Sequence, residues 1–199
     1  VREKIEDFPK KYKNFLIPDK KKTIEIKNRI KKDTNIICGI SWKSSAQEGR
    51  HKSALLKDLL PILSIKNISF LDLQYETIRN KGQTALEKEK LLNDKNITIT
   101  EYKKIDKFED IDGVTALISN CDIVVTSSNV TAHIAGALGI KTFLFVPNQR
   151  GKLWYWHDKD SMSIWYPSIK IFTANSSDGW GGLFEEISEK INLELNSGP

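Results

Sequence analysis

Two stretches of this 199-residue chain carry polar groups suited to holding an anion: Ser41-Trp42-Lys43-Ser44-Ser45 and Ser127-Ser128-Asn129-Val130-Thr131-Ala132-His133. Both are rich in hydroxyl or amide groups, and neither holds a carboxylate placed for acid–base catalysis. The second stretch runs directly into an apolar pattern, Thr131–Leu138, that reads as a helix. A helix N-terminus exposes unpaired N–H groups and carries positive partial charge, so it suits phosphate. Lys43 adds a full charge from the other stretch. Together they predict a diphosphate site, with the N–H groups of Val130, Thr131 and Ala132 as donors, the Thr131 hydroxyl beside them and Ser41 on the floor. The same residues also fit plain helix capping, because Ser, Asn and Thr are preferred there. His133, in the first turn, equally fits a structural hydrogen-bonding role.

These stretches need elements to bring them together. Apolar runs at Ile36–Trp42, Ile68–Gln74, Ile97–Tyr102, Asp122–Ser127, Thr142–Val146 and Ile169–Phe172 read as strands covered on both faces. Helical patterns fall between them at Ser53–Leu63, Gln83–Leu92, Ile111–Asn120 and Thr131–Leu138, and a last one spans about Leu183 to Leu195. Asp110 is placed to cap one helix, Gly139 to end another, and Asp178 or Gly179 to begin the last. Strands separated by helices predict right-handed βαβ units: an α/β, Rossmann-like, doubly wound parallel sheet of about six strands with helices on both faces. With strand order 3-2-1-4-5-6, the ligand crevice opens between the first and fourth strands, where both polar stretches end. A base attached to the diphosphate would reach toward Tyr102 and Lys103, on the side of the crevice that continues past Gln74. The segment Gln149–Ser168 shows no clear element but holds Trp154, Tyr155, Trp156, Trp165 and Tyr166. A long aromatic loop of this kind either stacks a base or sugar, with Trp154 a candidate, or covers the sheet edge as a hydrophobic lid.

Composition removes several alternatives. Hydrophobic residues make up 39% and charged residues 29%, ordinary for one globular domain. The net charge of +5 is unevenly placed: residues 1–32 hold 12 of the 31 basic and 5 of the 26 acidic residues. The basic excess therefore belongs to a lead-in helix or linker, residues 1–34, and not to the domain that follows, 35–199. A nucleic-acid partner is not expected. No apolar run is long enough to span a membrane. Two cysteines 83 positions apart and three histidines form neither a disulfide framework nor a metal site, so no metal and no cofactor are expected, and the default compartment is reducing and cytoplasmic. There is no GxGxxG after the first strand, no GxxxxGK[ST] and no GxSxG, which argues against a standard dinucleotide fold, a Walker NTPase and an α/β-hydrolase. The chain begins at Val1 without an initiator Met, which reads as a piece of something longer.

The stretch from Asp122 through Ser128-Asn129, Thr131, His133 and Gly139, followed by Lys141-Thr-Phe-Leu-Phe-Val-Pro147, resembles the carboxyl half of the heptosyltransferase-like GT-B glycosyltransferases. The resemblance is greatest to their tetratricopeptide-repeat versions, related in architecture to O-linked N-acetylglucosamine transferase. Ile37 to Lys43, Arg50-His-Lys-Ser53, Phe70 to Gln74, Trp154-Tyr-Trp156 and Trp165-Tyr-Pro167 resemble further family segments in order, and Tyr12 to Ile30 resembles the segment joining the two halves. The resemblance implies a half-domain that holds a nucleotide-diphospho-sugar through Ser41, Lys43, Gln74, Tyr102, Ser128, Asn129, Val130, Thr131, Ala132, His133 and Trp154. Lys43 and the helix N-terminus would stabilise the leaving diphosphate. The partners it implies are an upstream half-domain or tetratricopeptide repeats of the same protein. No residue here is assigned as a catalytic base. Ser128-Asn129 stands where the family usually has Asp-Thr, and the Lys43–Lys52 loop is shorter and lacks an Asn-Asp pair. The alternative is thus a non-catalytic module that kept the fold and serves in protein interaction.

Overall fold

The computed structural model describes residues 14–30, 36–45, 49–77, 82–156, 158–159, 161–174 and 179–196. Its centre is a parallel sheet of β1 (Ile36–Ser41), β2 (Ile68–Asp72), β3 (Ile99–Thr100), β4 (Ile123–Ser127), β5 (Lys141–Val146) and β8 (Ile169–Thr173). Two short strands, β6 (Asp158–Lys159) and β7 (Met162–Ser163), extend it antiparallel, in the order β3-β2-β1-β4-β5-β8-β7-β6. Apart from that hairpin, this is the expected doubly wound Rossmann-like order. The aromatic segment therefore does carry an element: β7 borrows an edge from β8 through Met162 and Lys170. Strands of two residues have too little pattern of their own to stand out in a sequence.

The helices are α1 (Lys20–Ile30), α2 (Leu60–Leu63), α3 (Gln83–Lys95), α4 (Ile111–Ile118), α5 (Val130–Ala137) and α6 (Gly181–Asn196). Alternation along each strand splits the core into two layers. Cys38 and Ile40 of β1, with Ile123 and Val125 of β4, pack with Leu56, Leu91 of α3 and Phe184 of α6. Ile37 and Val124 pack on the opposite face with Ile26 of α1, Leu117 of α4 and Ala135 of α5. Asp110 caps α4 by accepting the Gly113 N–H at 2.8 Å, and its carboxylate holds Lys22 of α1 at 3.0 Å. Gly139, at φ +72°, turns the chain after α5. Both cysteines are buried and free of any disulfide, and burial pushes both thiols up.

Two elements differ clearly from expectation. Ser53–Leu63 is not one helix but a 3-10 turn, Leu56–Leu59, running into the single turn of α2. Ala54 N–H donates to the Trp42 carbonyl at 2.9 Å, which keeps the preceding residues extended. Pro61 has no N–H to bond four residues back, so the turn closes through shorter bonds. β3 shortens to Ile99–Thr100 because only Phe70 and Leu71 of β2 pair with it. Of the lead-in segment, residues 14–30 are described; residues 1–13 and 31–34, and the candidate helix start Asp178, lie outside the described residues.

Candidate functional site

β1 and β4 pair in register as far as Ser41 and Thr126, and beyond them the two chains diverge. Asn129 spans the gap. Its Oδ1 accepts the Thr131 N–H at 2.9 Å, capping α5, and its Nδ2 donates to Ser41 Oγ at 2.8 Å, Ser127 Oγ at 3.1 Å and the Lys43 carbonyl at 3.2 Å. The cap is therefore also a bridge between the two polar stretches. This consumes part of the helix terminus. Thr131 N–H is bonded to its own cap and Ala132 N–H to the Asn129 carbonyl at 3.2 Å, leaving Val130 N–H without a partner among the described residues.

Gln74 holds the opposite side of β1's exit. It is 1% exposed, and its Oε1 accepts the Trp42 N–H at 2.9 Å and the Lys43 N–H at 2.7 Å. Its Nε2 donates to the carbonyls of Tyr75 at 2.8 Å and Lys43 at 3.3 Å. Lys43's side chain is drawn to α3, where its ammonium sits 2.5 Å from Glu87 Oε1. Glu87 also accepts the Trp42 indole N–H at 2.8 Å and the Leu56 N–H at 3.0 Å. Lys43 is thus neutralised by a carboxylate that α3 supplies.

The buried lysine without an ion pair among the described residues is a different one, Lys52. It is 5% exposed, with neither hydrogen bond nor ion pair among the described residues, and burial lowers its pKa. It lies beside the first turn of α5: burial holds His133's pKa below the ordinary value, and the Lys52 charge adds to the effect. Gly151, at φ +90°, lets the aromatic segment pass close against His51 and Lys52, since a β-carbon there would stand 2.9 Å from His51 Cβ and 3.1 Å from Lys52 Cγ. Ser45 Oγ, in the loop leaving β1, is buried with no hydrogen-bond partner among the described residues. The sequence does not by itself place Lys52 in the site, although Arg50-His-Lys-Ser53 stands out in it; the signal available there is a basic run just before the first helix.

The aromatic segment docks on the same turn. Trp156, 1% exposed, donates its indole N–H to Ser128 Oγ at 2.8 Å and stacks on His133 with ring centroids 4.8 Å apart. His133 Nδ1 is 3.2 Å from the Tyr166 hydroxyl. Gly136 leaves room for the Tyr166 ring, from which a β-carbon would be 2.5 Å away. Trp154 stands outward, 77% exposed. Tyr102 does not open on the crevice through its side chain: it packs with Ile26 and Val114, and its hydroxyl lies 3.5 Å from Glu25 of α1. Ser41, Gln74, Ser128, Asn129 and Thr131 do converge at the crevice, along with the Lys43 backbone. No group of three or more metal-ligating side chains occurs among the described residues.

No protein-family model matches the chain. Protein FlbA of Caulobacter vibrioides is 29% identical over 189 residues, covering 90% of this chain and 29% of that protein. The chain thus spans less than a third of that relative. Among solved structures, Escherichia coli ADP-heptose lps heptosyltransferase II superposes with a TM-score of 0.60 at 13% identity, over 92% of this chain and 52% of that one. A family 9 glycosyl transferase of Veillonella parvula gives 0.55 at 8% identity, covering 91% and 45%. The C-terminal domain of the group 1 glycosyl transferase LpcC from Francisella tularensis gives 0.55 at 12%, covering 92% and 86%. Heptosyltransferase II and the family 9 enzyme are matched over about half their length, and the LpcC domain over most of its own. What these likenesses establish is the architecture: the chain has a glycosyltransferase-like Rossmann fold.

Proposed function

We propose that this chain is the donor-binding half of a glycosyltransferase and binds a nucleotide-diphospho-sugar at the crevice between β1 and β4. The observation that carries the reading is Lys52, a lysine only 5% exposed with no counter-ion among the described residues, beside the α5 N-terminus. An isolated buried charge is costly, and an incoming diphosphate would supply its missing partner. The open Val130 N–H and the unpaired Ser45 hydroxyl would add donors. Lys52, not Lys43, would stabilise the leaving diphosphate. In this reading residues 1–34 lead in from an upstream half-domain or tetratricopeptide repeats, which would supply the acceptor contacts and the base. The buried free thiols suit a reducing, cytoplasmic setting.

The test is titration calorimetry with UDP, GDP and ADP. One of them should bind, and Lys52→Ala should weaken that binding about tenfold or more, equivalent to about 1.4 kcal/mol. The second reading, a non-catalytic module acting in protein interaction, draws on the commitments of the other residues: Lys43 is neutralised by Glu87, and Ser128 accepts from Trp156. No binding of any of the three diphosphates would leave that reading standing.

A further inference from the structure

The loop that carries Lys52 is closed at its neck. Ala54 N–H bonds back to the Trp42 carbonyl at 2.9 Å, Ser44 N–H donates to Ser53 Oγ at 3.0 Å, and Ser53 Oγ donates to the Gly49 carbonyl at 2.7 Å. Whatever fixes Trp42 and Lys43 therefore fixes where Ser44 and Ser53–Ala54, the described residues on the two sides of the neck, leave the sheet. The backbone ladder between β1 and β2 ends just before this point, with Leu73 N–H on the Ile40 carbonyl at 2.9 Å. From there Gln74's side chain takes the ladder's place, accepting two successive N–H groups and returning one bond to the Lys43 carbonyl. Asp72 Oδ1 in turn accepts the Gln74 N–H at 2.8 Å. On the far side Asn129 Nδ2 grips the same Lys43 carbonyl.

A carboxamide has two acceptor lone pairs and two donor hydrogens. Gln74 Oε1 receives two backbone N–H groups and lies 3.4 Å from the Ser41 hydroxyl, while Nε2 reaches two carbonyls. No capacity is left for a ligand. We infer that Gln74 is a positioning residue: it clamps the neck of the 42–54 loop and so holds Lys52 at the α5 terminus, without touching the donor itself. The inference rests on the donor-binding reading and deepens it. Preorganisation of this kind matters because a cation displaced by about an ångström loses much of its effect on a bound anion.

The experiment measures binding of the nucleoside diphosphate that the wild-type chain takes up, among UDP, GDP and ADP, at a temperature where each variant is folded by its own melting curve. Gln74→Leu should weaken binding at least tenfold, and in a Lys52→Ala background the same change should cost much less, because the group being positioned is gone. If Gln74→Leu does not fold, Gln74→Glu keeps an acceptor for the Trp42 and Lys43 N–H groups but opposes the two carbonyls. It should bind severalfold more weakly, and that loss should shrink in the Lys52→Ala background, where repulsion by the new carboxylate would persist. Wild-type affinity in the folded variant, or a loss equally large with and without Lys52, would overturn the clamp while leaving the donor reading intact. Failure of the wild-type chain to bind any of the three would overturn both.

Discussion

Along the carboxyl edge of the sheet, buried charges near β2 and β3 are treated differently from the one near α5. On the β2 side Asp72, 1% exposed, receives Lys88 at 2.6 Å and Lys107 at 3.3 Å, and both lysines also reach Glu101. Burial works against the Lys88 ammonium, but Asp72 and Glu101 outweigh it and hold its pKa above the ordinary value. Lys43 follows the same rule with Glu87. On the α5 side Lys52 is just as deeply placed and has no such partner among the described residues. Among the described residues, half-buried Lys43, Lys88 and Lys107 have carboxylate partners and buried Lys52 has none, the pattern expected if the first three are structural and the last serves the proposed ligand. The comparison is sharp because it predicts opposite signs for removing the two kinds of charge.

The largest effect belongs to the paired side. Asp72→Ala would strand Lys88 and Lys107 with only the more exposed Glu101, and would also release the Gln74 N–H. Breaking a buried pair by deleting one partner typically costs about 3–5 kcal/mol, so chemical denaturation should show a loss of that size. A change below about 1 kcal/mol, less than a typical lost buried polar partner, would mean that the network is hydrated and the contrast with Lys52 is not one of pairing.

The sign reverses at Lys52. Lys52→Met keeps most of the stem's volume against Gly151 while removing a charge that burial of the side chain disfavours and that no carboxylate among the described residues offsets. The variant should be more stable than wild type in urea unfolding, by about 1 kcal/mol or more, while its nucleoside diphosphate binding is lost. A gain in stability at the expense of function is the mark of a site residue. A destabilised Lys52→Met would instead place Lys52 among the structural lysines.

The difference between the two sides also explains what the sequence discloses. Strand order, the Asp110 cap and the Asn129 cap are legible because hydrophobic period and capping chemistry are local: each is written within a few residues of where it acts. Side-chain commitments are not local. Lys43 looks available in the sequence because Glu87, its partner, lies 44 positions further along on another element. Ser128 looks like a ligand contact because Trp156, whose indole occupies it, arrives from a segment with no recognisable pattern. Gln74 belongs to the crevice as its position suggests, but its polar atoms are taken up by the β1 exit, a commitment made across elements and so not written locally. Lys52 escapes notice for the converse reason: nothing in Arg50-His-Lys-Ser53 says which of its three basic side chains is covered.

The smallest effect tests whether the Lys52 charge is felt by its neighbour. His133 has an ordinary value of 6.5, lowered in the fold first by burial and then by Lys52. The groups facing it are the Trp156 and Tyr155 rings, the Tyr166 hydroxyl and Lys52 itself. None of these is an anion that would favour the imidazolium. Because the folded state holds this proton less tightly than the unfolded chain, the unfolded state binds more protons as the pH falls below the unfolded value. Stability attributable to His133 is therefore full above that value and is lost as pH falls through the lowered folded one. Melting temperature should decline from about pH 7.5 to about pH 5.5, the window that brackets an ordinary and a lowered histidine, and His133→Phe, which preserves a ring against Trp156, should make the decline shallower. In Lys52→Met the decline should also flatten, because one of the two causes of the lowered pKa is gone. Identical slopes in all three proteins would show that the Lys52 charge does not reach the first turn of α5, and the proposed anion site would lose the cation that defines it.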